Sequence, residues 1–460
     1  NNEDLCVNKI IKVQIMVDDN DDVRRIEVEL SNIDQVKWRK LDERCQFDPE
    51  FTDAKIQRYL ADGIRSQLDG APQERVYELT DLGLSFVEGE AVFCTGKEVI
   101  TPPSSGLPQI VIKQQPKMQR LDIDTTLSEG QALSEMFALI SLSPNPGRII
   151  LMYKLVYLMR QAYIDAGAKP NFCIYLYGKT GTMKTTFSSF LIQLYDRGKG
   201  IASPPRLNAS IAAVTKILSE VSDDTIVLDD LCPAESNRIR KEQEETLIEI
   251  TRYVGDGTMP LKVIGKGIVN DTPKCGVIFT GEYIIGKGSD AARLLPIEMT
   301  PPDGGKLKHF QDNPLIVSTF YYYFIRWFIA HYQEVVIFLR EWLGHYQGKE
   351  FGIHARLKEM YFFLCTACVI LMEYCHDNEV LSSDIANHVL DSFRNLLMKL
   401  VQEQDRRVWQ GESKIPKAQN CLERIRALYK NDRMSIANDD KQFDKNRHDG
   451  LRHNNRLYLR

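Results

Sequence analysis

Over the first quarter of the chain, apolar and polar residues alternate in short runs. KVQIMV, RRIEVEL, LSFVEGEAVFC and QIVIK have the two-residue period of strands. Acidic or Gly/Pro-rich turns, TPPSSGLP among them, separate these runs. One stretch with helical spacing, FTDAKIQRYLADGIRSQL, interrupts them. The pattern predicts a β-rich N-terminal domain over residues 1–125. The period then lengthens. SEGQALSEMFALISL and GRIILMYKLVYLMRQAYIDAG carry apolar residues at helical spacing. NFCIYLYG follows as a short apolar run ending in glycine, the pattern of a buried parallel strand. From there TTFSSFLIQLYDRG, ASIAAVTKILSEVS and KEQEETLIEITRYV have helical spacing, and TIVLDDL and CGVIFTG fall between them as strands. Such alternation predicts a mostly parallel α/β sheet, here within residues 126–304. Residues 305–404 have a helical period almost throughout. The last stretch, 405–460, holds a helical pattern in AQNCLERIRALYKN and a strand-like RLYLR.

At 460 residues the chain exceeds one ordinary domain. Its 43% hydrophobic and 26% charged residues are those of a globular protein. The net charge of -5 excludes a chain basic overall, so contact with nucleic acid would need local basic surfaces. One such region is 405–460, with fourteen Lys/Arg against eight Asp/Glu. Ten cysteines without repeated spacing indicate reduced thiols and a cytoplasmic location. Cys365 and Cys368 form a C-x-x-C followed by Cys375 and His376, but they lie within the apolar run YFFLCTACVILMEYCH, which favours a core helix over a metal site. The most membrane-like stretch, FYYYFIRWFIAHYQEVVIFL, carries Arg326, His331 and Glu334, so a buried helix is expected and no membrane span. The chain opens on NNEDLCVNKI, with no secretory signal and no initiating Met, as at a domain boundary.

The chemistry begins after NFCIYLYG. Gly178, Lys179, Thr180, Gly181, Thr182, Met183, Lys184 and Thr185, with Thr186 following, match the phosphate loop G-x-x-x-x-G-K-[ST] at every fixed position except Met183, which replaces the second glycine. A strand before and a helix after supply the context that motif requires. The physical logic is that a loop entering a helix N-terminus directs free N–H groups and the helix dipole at one point. Lys184 is placed to neutralise β- and γ-phosphates, and Thr185 to ligate Mg²⁺. The implied cofactors are therefore ATP and Mg²⁺. TIVLDDL lies 45 residues beyond Lys184. Its Asp229 would hold Mg²⁺ and Asp230 would polarise the attacking water. Two acids at a strand end also make a plain turn.

Further on, MPLKVIGKGIVND has the form of a hairpin about Gly-Lys-Gly, with Lys262 on one arm and Lys266 at the tip. Thr280 and Glu282, closing CGVIFTGE, stand where a γ-phosphate sensor would stand. A strand-end hydroxyl is the plainer alternative for Thr280, and a solvated turn for the lysines. Arg293, in GSDAARLLPIEM, is either a surface charge or, in a ring ATPase, an arginine that completes a neighbour's nucleotide site.

Taken in order, the phosphate loop, VLDDL, the charged helix closing on GDGT, the lysine hairpin, FTGE and S-x-A-A-R-L-L resemble the "domain of unknown function 927" family. These are helicase-like P-loop ATPases of phages, plasmids and other mobile elements, grouped with the AAA+ hexameric helicases. The resemblance spans residues 130 to 300, extends more loosely to 400, and includes a β-rich region before the ATPase. It implies an α/β P-loop NTPase (AAA+-like) core with a β-rich N-terminal domain and a helical C-terminal lid. It also implies that Lys184, Thr185, Asp229 and Asp230 form the nucleotide and metal set, Thr280 and Glu282 a first sensor, and Arg293 an arginine finger. Lys262 and Lys266 would touch DNA in a central channel, and Arg356 would be a second sensor or a helix-start surface charge. The terminal DKNRHDGLRHNNRLYLR is similar to the start of a winged helix.

Two function classes are therefore open. One is an ATP-driven DNA helicase or translocase of a mobile element, a homo-oligomer of hexameric type, with single-stranded or forked DNA and replication proteins as partners. The other is a nucleotide-switched AAA+ scaffold that assembles with protein partners and unwinds nothing. A small-molecule phosphotransferase has no evident use for the lid or hairpin.

Overall fold

The computed structural model describes residues 12–19, 22–41, 49–67, 76–103, 105–113, 118–195, 205–207, 210–231, 237–264, 267–269, 271–285, 288–347, 351–412, 436–437, 444, 450–453 and 456–459. These divide into two compact units. The first comprises residues 1–80, 86–89 and 106–113, and the second 81–85, 90–105 and 114–460. The expected helix at AQNCLERIRALYKN lies outside the described residues.

The first unit carries strands β1 (Lys12–Asp19) and β2 (Asp22–Glu29), an antiparallel hairpin, and the helices α1 (Trp38–Leu41) and α2 (Asp53–Gln67). Ile33, Trp38, Ile56 and Ala61 make its small core. Strand β3 (Val76–Leu79) pairs in parallel with β7 (Gln109–Ile112). Between them in sequence run β4 (Gly83–Val87) and two strands that belong to the second unit, β5 (Glu90–Cys94) and β6 (Val99–Ile100), paired antiparallel.

The second unit is built on a four-stranded sheet. Its strands are β8 (Cys173–Tyr177), β9 (Thr225–Leu231), β12 (Gly276–Gly281) and β13 (Leu294–Glu298). The order is β13-β8-β12-β9, and every neighbouring pair is parallel. The near-absence of polar residues in CIYLY, GVIFTG and LLPIE follows, because a sheet covered on both faces has no solvated side. Beyond β9, Arg206 bridges Asp229 in parallel and adds a fifth backbone segment at that edge.

Helices α3 (Glu129–Ser141), α4 (Pro144–Leu158) and α5 (Arg160–Asp165) precede the sheet. A reciprocal cap starts α3: Ser128 accepts from the Gln131 N–H, and the Gln131 side chain accepts from the Ser128 N–H. Helices α4 and α6 (Lys184–Leu191) pack on one side of the sheet. The other side buries Cys173, Tyr175, Val277 and Phe279 together with Val214 and Leu218 of α7 (Ile211–Glu220) and Leu247 and Ile250 of α8 (Asn237–Asp256). The short hairpin β10 (Lys262–Ile264) and β11 (Gly267–Val269) follows α8, with Ile264 opposite Gly267.

After the four-residue α9 (Gly288–Ala291) and β13, the chain is helical: α10 (Gly304–Asp312), α11 (Leu315–Ala330), α12 (Tyr332–Gln347), α13 (Ala355–Asp377) and α14 (Ser383–Glu412). The membrane-like stretch is two helices, α11 and α12, broken at His331. No helix among the described residues is long and apolar enough to cross a membrane. Cys365, Cys368 and Cys375 are buried in α13, and burial pushes each thiol up to about 12, so they stay protonated at neutral pH. Helix α14 runs on to Glu412, into the basic stretch, and three short strands, β14 (Ile436–Ala437), β15 (Gly450–His453) and β16 (Arg456–Leu459), form a small sheet at the end.

At the base of β9, Asp223 is buried and in the left-handed region at φ 52, and it accepts a hydrogen bond from the Leu84 N–H at 3.0 Å. Burial pushes its carboxyl up to about 6, against the lowering by Arg160, the Leu84 amide and Lys274; Asp224 adds to the rise. The folded chain thus keeps a proton that the unfolded chain releases. Between about pH 4 and pH 6 stability falls as pH rises. Asp223→Asn, which tolerates the same backbone angles, is expected to remove that slope from thermal midpoints measured across this range.

Candidate nucleotide site

Parallel strands end on one edge of the sheet, and the loops leaving that edge form the crevice where such folds bind ligands. Here the edge collects Tyr177, Leu231, Gly281 and Glu298 as strand ends. The phosphate loop leaves β8 and is tied back to the neighbouring strand, since Gly178 N–H donates to the Gly281 carbonyl at 3.1 Å. Gly181 takes φ +82, which glycine supplies without strain. Met183 takes φ 59, ψ 26 immediately before α6. The loop therefore keeps a left-handed residue at the position where glycine is usual. An L-residue with a Cβ meets a cost of roughly 1–2 kcal/mol there. The Met183 methyl lies over Gly304 at the start of α10, where a Cβ would approach it to 3.3 Å. Met183→Gly is expected to stabilise the chain by about 0.5–1 kcal/mol, the strain relief less the added freedom of the unfolded glycine. An unchanged denaturation midpoint would show the strain to be absorbed by that packing.

The side chains converge. Lys184 Nζ donates to the carbonyls of Gly178 at 2.8 Å and Lys179 at 2.9 Å, so the ammonium is held inside the arch of the loop. Thr185 Oγ1 and Thr280 Oγ1 both donate to Asp229 Oδ1. One carboxylate thus receives α6 from one side and β12 from the other. Thr180 Oγ1, in the loop, donates to Glu282 Oε1. Thr280 and Glu282 are 1% and 8% exposed. Thr182 Oγ1 donates to the Lys179 carbonyl at 2.8 Å, and Thr186 is the third residue of α6. The pairing of β12 with β9 slips by one residue: Phe279 is opposite Leu228, but Gly281 is opposite Leu231. Asp229 and Asp230 together face Thr280, a bulge of the kind that re-aims side chains beside active sites. Asp230 lies on β9, and its side chain is outside the described residues, as are Lys266 and the side chain of Lys262 on β10.

Among the predicted residues, Lys184, Thr185, Asp229, Thr280, Thr180 and Glu282 are brought into one cleft. A hydroxyl and a carboxylate meeting across it are an oxygen donor set suited to a hard cation, so Thr185 and Asp229 fit Mg²⁺. Arg293 is placed elsewhere. Its carbonyl accepts from the Cys173 N–H at 3.0 Å, level with the start of β8, so it lies at the opposite edge of the sheet. That is about 16 Å of strand from Gly178. There Arg293 Nη2 donates to Asp256 Oδ1 at 2.6 Å, Arg356 Nη2 donates to the same oxygen at 3.2 Å, and Arg356 Nη1 donates to the Gly255 carbonyl at 3.3 Å. Burial raises the Asp256 carboxyl, but these two arginines outweigh it and hold it below the usual range. Gly255 is required, because a Cβ there would meet the Arg293 stem at 2.5 Å. The sequence motif GDGT contained Asp256, but nothing in it signalled two arginine partners. The Arg206 segment beside Asp229 was also unsignalled, having neither length nor pattern as a strand.

No protein-family model matches the chain. No curated protein matches it either. Among solved structures, it is similar to one described as "SCCmec type IV Cch - active helicase", at 15% identity and a TM-score of 0.54, over 97% of this chain and 82% of that one. A structure of JCV helicase with a bound small molecule overlaps at 12% identity and a TM-score of 0.25, over 51% of this chain and 72% of that one. The apo NrS-1 C-terminal region overlaps at 11% identity and a TM-score of 0.24, over 74% and 82%. These last two are too loose to bear on the fold. The fold class is α/β, a parallel P-loop-type sheet with a helical C-terminal region, as in the Cch helicase structure.

Proposed function

We propose that the chain is an ATP-driven DNA helicase or translocase of a mobile element, with AAA+-like nucleotide sites shared between subunits of a ring, hexameric in type. Its ATPase core would be residues 126–304, its lid 305–404, with 1–125 and the basic 405–460 as flanking parts. The observation that carries this reading is the meeting of Thr185 and Thr280 on Asp229, with Lys184 held in the adjoining loop. In this reading Lys184 binds the β- and γ-phosphates and Thr185 and Asp229 hold Mg²⁺. Bound Mg²⁺ would neutralise charge on the phosphate oxygens. Thr280, hydrogen-bonded to Asp229, links the acid strand to the γ-phosphate. Lys262 and Lys266 of the β10–β11 hairpin are the proposed DNA contacts, and Asp230 remains a candidate for polarising water. The resemblance to the "domain of unknown function 927" family supports the mobile-element context.

Arg293 fits a shared site, since an arginine whose backbone lies about 16 Å of strand from its own loop is away from that loop's phosphates. Arg293→Ala is expected to abolish turnover while leaving ATP affinity within a few-fold. Mixed with Lys184→Ala subunits it is expected to regain activity, because some interfaces then pair an intact loop with an intact arginine. Absence of activity in every mixture would remove the shared site.

The test of the whole reading is steady-state ATP hydrolysis with and without single-stranded DNA at low salt, with DNA affinity falling steeply as salt rises. Strong stimulation by DNA supports the motor. One observation favours the scaffold: Arg293 and Arg356 are both engaged by Asp256 within the chain. ATP-dependent assembly with turnover indifferent to DNA would select it.

A further inference from the structure

We infer that Gln404 of α14 is the positioning residue for Arg293: its side-chain amide fixes the short arm that presents this arginine to a neighbouring subunit's nucleotide. The inference deepens the shared-site reading and rests on it.

The arm cannot hold itself. Helix α9 runs only from Gly288 to Ala291, and Arg293 follows two residues later. A single helical turn fixes several backbone angles for one hydrogen bond, so it persists only where its surroundings hold it. Its last carbonyls also have no partner within the helix. Side chains from two other helices hold it here. Arg252 of α8 donates to both carboxylate oxygens of Asp290, at 2.8 and 3.1 Å, on the surface. Gln404 Nε2 donates to the Ala291 carbonyl at 2.6 Å, in the interior.

The buried bond is the more constraining. Gln404 is 1% exposed, and Ala291 and Ala292 are buried with it. An amide taken out of water costs free energy unless its polar atoms are bonded. Here Nε2 is on Ala291, and Oε1 accepts from Arg407 Nη1 at 3.3 Å. A carbonyl only accepts and a guanidinium only donates, so the amide has one orientation. An apolar side chain would fill the same space without fixing that carbonyl. The arm then passes its position on. The Arg293 N–H donates to the Asp290 carbonyl at 3.1 Å, and Arg293 Nη1 returns to the Ser289 carbonyl at 2.8 Å. A shift of α9 therefore moves the arginine.

The next residue of α14 does the same for the second arginine. Asp405 Oδ1 accepts from the His354 N–H at 2.8 Å, and His354 Nδ1 accepts from the Arg356 N–H at 3.2 Å at the start of α13. Consecutive residues of one helix thus set the backbones of Arg293 and Arg356, whose guanidiniums meet on Asp256.

The experiment uses the full chain with Gln404→Met, which keeps length and volume without a donor, and Gln404→Glu, which keeps the acceptor for Arg407 and loses the donor to Ala291. Thermal midpoint, fluorescent-ATP binding and ATP turnover are measured for each variant alone and in mixtures of subunits. Each is expected to bind ATP within about threefold of the parent, since its own loop is intact. Each is expected to lose about ten- to a hundredfold in kcat, the scale for a catalytic group displaced by about 1 Å. Mixed with Lys184→Ala subunits, Gln404→Met is expected to exceed the summed activity of the two variants. Mixed with Arg293→Ala it is expected to gain nothing, because every arm is then defective. A merely structural role would not sort the mixtures in this way. Turnover within about threefold of the parent in both variants would overturn the assignment. So would a gain in the Arg293→Ala mixture, or no gain with Lys184→Ala where Arg293→Ala itself gains. If Gln404→Met does not fold, Gln404→Glu is read in the same mixtures; if neither folds, the side chain serves the core and the assignment is overturned. No gain when Lys184→Ala is mixed with Arg293→Ala refutes the shared site itself, and this inference with it.

Discussion

Lys184→Ala is expected to reduce ATP turnover by at least about a thousandfold, the scale seen when a group that stabilises transferred phosphoryl charge is removed. The reason is local. The ammonium is fixed within the loop by the Gly178 and Lys179 carbonyls, so it would meet bound phosphates without first being ordered. Removing it leaves those two carbonyls facing the polyphosphate with no intervening cation. Repulsion then adds to the loss of attraction. Turnover of the variant above a few per cent of the parent would place the essential charge elsewhere. Fold should survive, because Lys184 bonds the loop carbonyls of Gly178 and Lys179 and is not among the buried core residues.

The second large effect concerns stability. Lys154 of α4 is fully buried and paired with Asp224, whose side chain is 5% exposed. Its ammonium lies 5.3 Å from the Tyr321 ring centroid, and Asp224 also accepts from the Thr225 N–H at 2.6 Å. Lys154→Met removes one partner and leaves a buried carboxylate uncompensated. The expected cost is about 3–5 kcal/mol, read as a lower urea midpoint at constant slope. The double variant Lys154→Met with Asp224→Asn should recover much of that loss, since no orphaned charge remains. If it recovers nothing, Lys154 matters through packing and not through charge.

Much of this architecture was legible in the residues for a simple reason. NFCIYLYG, TIVLDDL and CGVIFTG are apolar because each is covered on both faces, and that burial writes itself into sequence directly. The phosphate loop was legible because its chemistry demands fixed residue types at fixed spacing. Asp229 and Thr280 were named from strand ends, and only the tertiary fold could show that the Thr280 hydroxyl donates to an Asp229 oxygen. The Met183 position was visible as a departure from the motif, but whether the loop would give way or the residue would accept strain was not; it accepts strain. Arg293 was legible as an unusual arginine between small residues. Its partner Asp256 lies 37 positions away on the other side of a hairpin, and no periodicity relates the two. The length of α14 was also missed at its end, because the helix continues past 404 to Glu412 through the start of the basic stretch.

The Asp256 cluster has a consequence in charge balance. One carboxylate, Asp256, faces two guanidiniums, Arg293 and Arg356. Were Arg293 to swing away toward a neighbouring subunit, Arg356 would stay and Asp256 would still be neutralised. An Asp256 held by a single arginine would instead be left bare by the same movement.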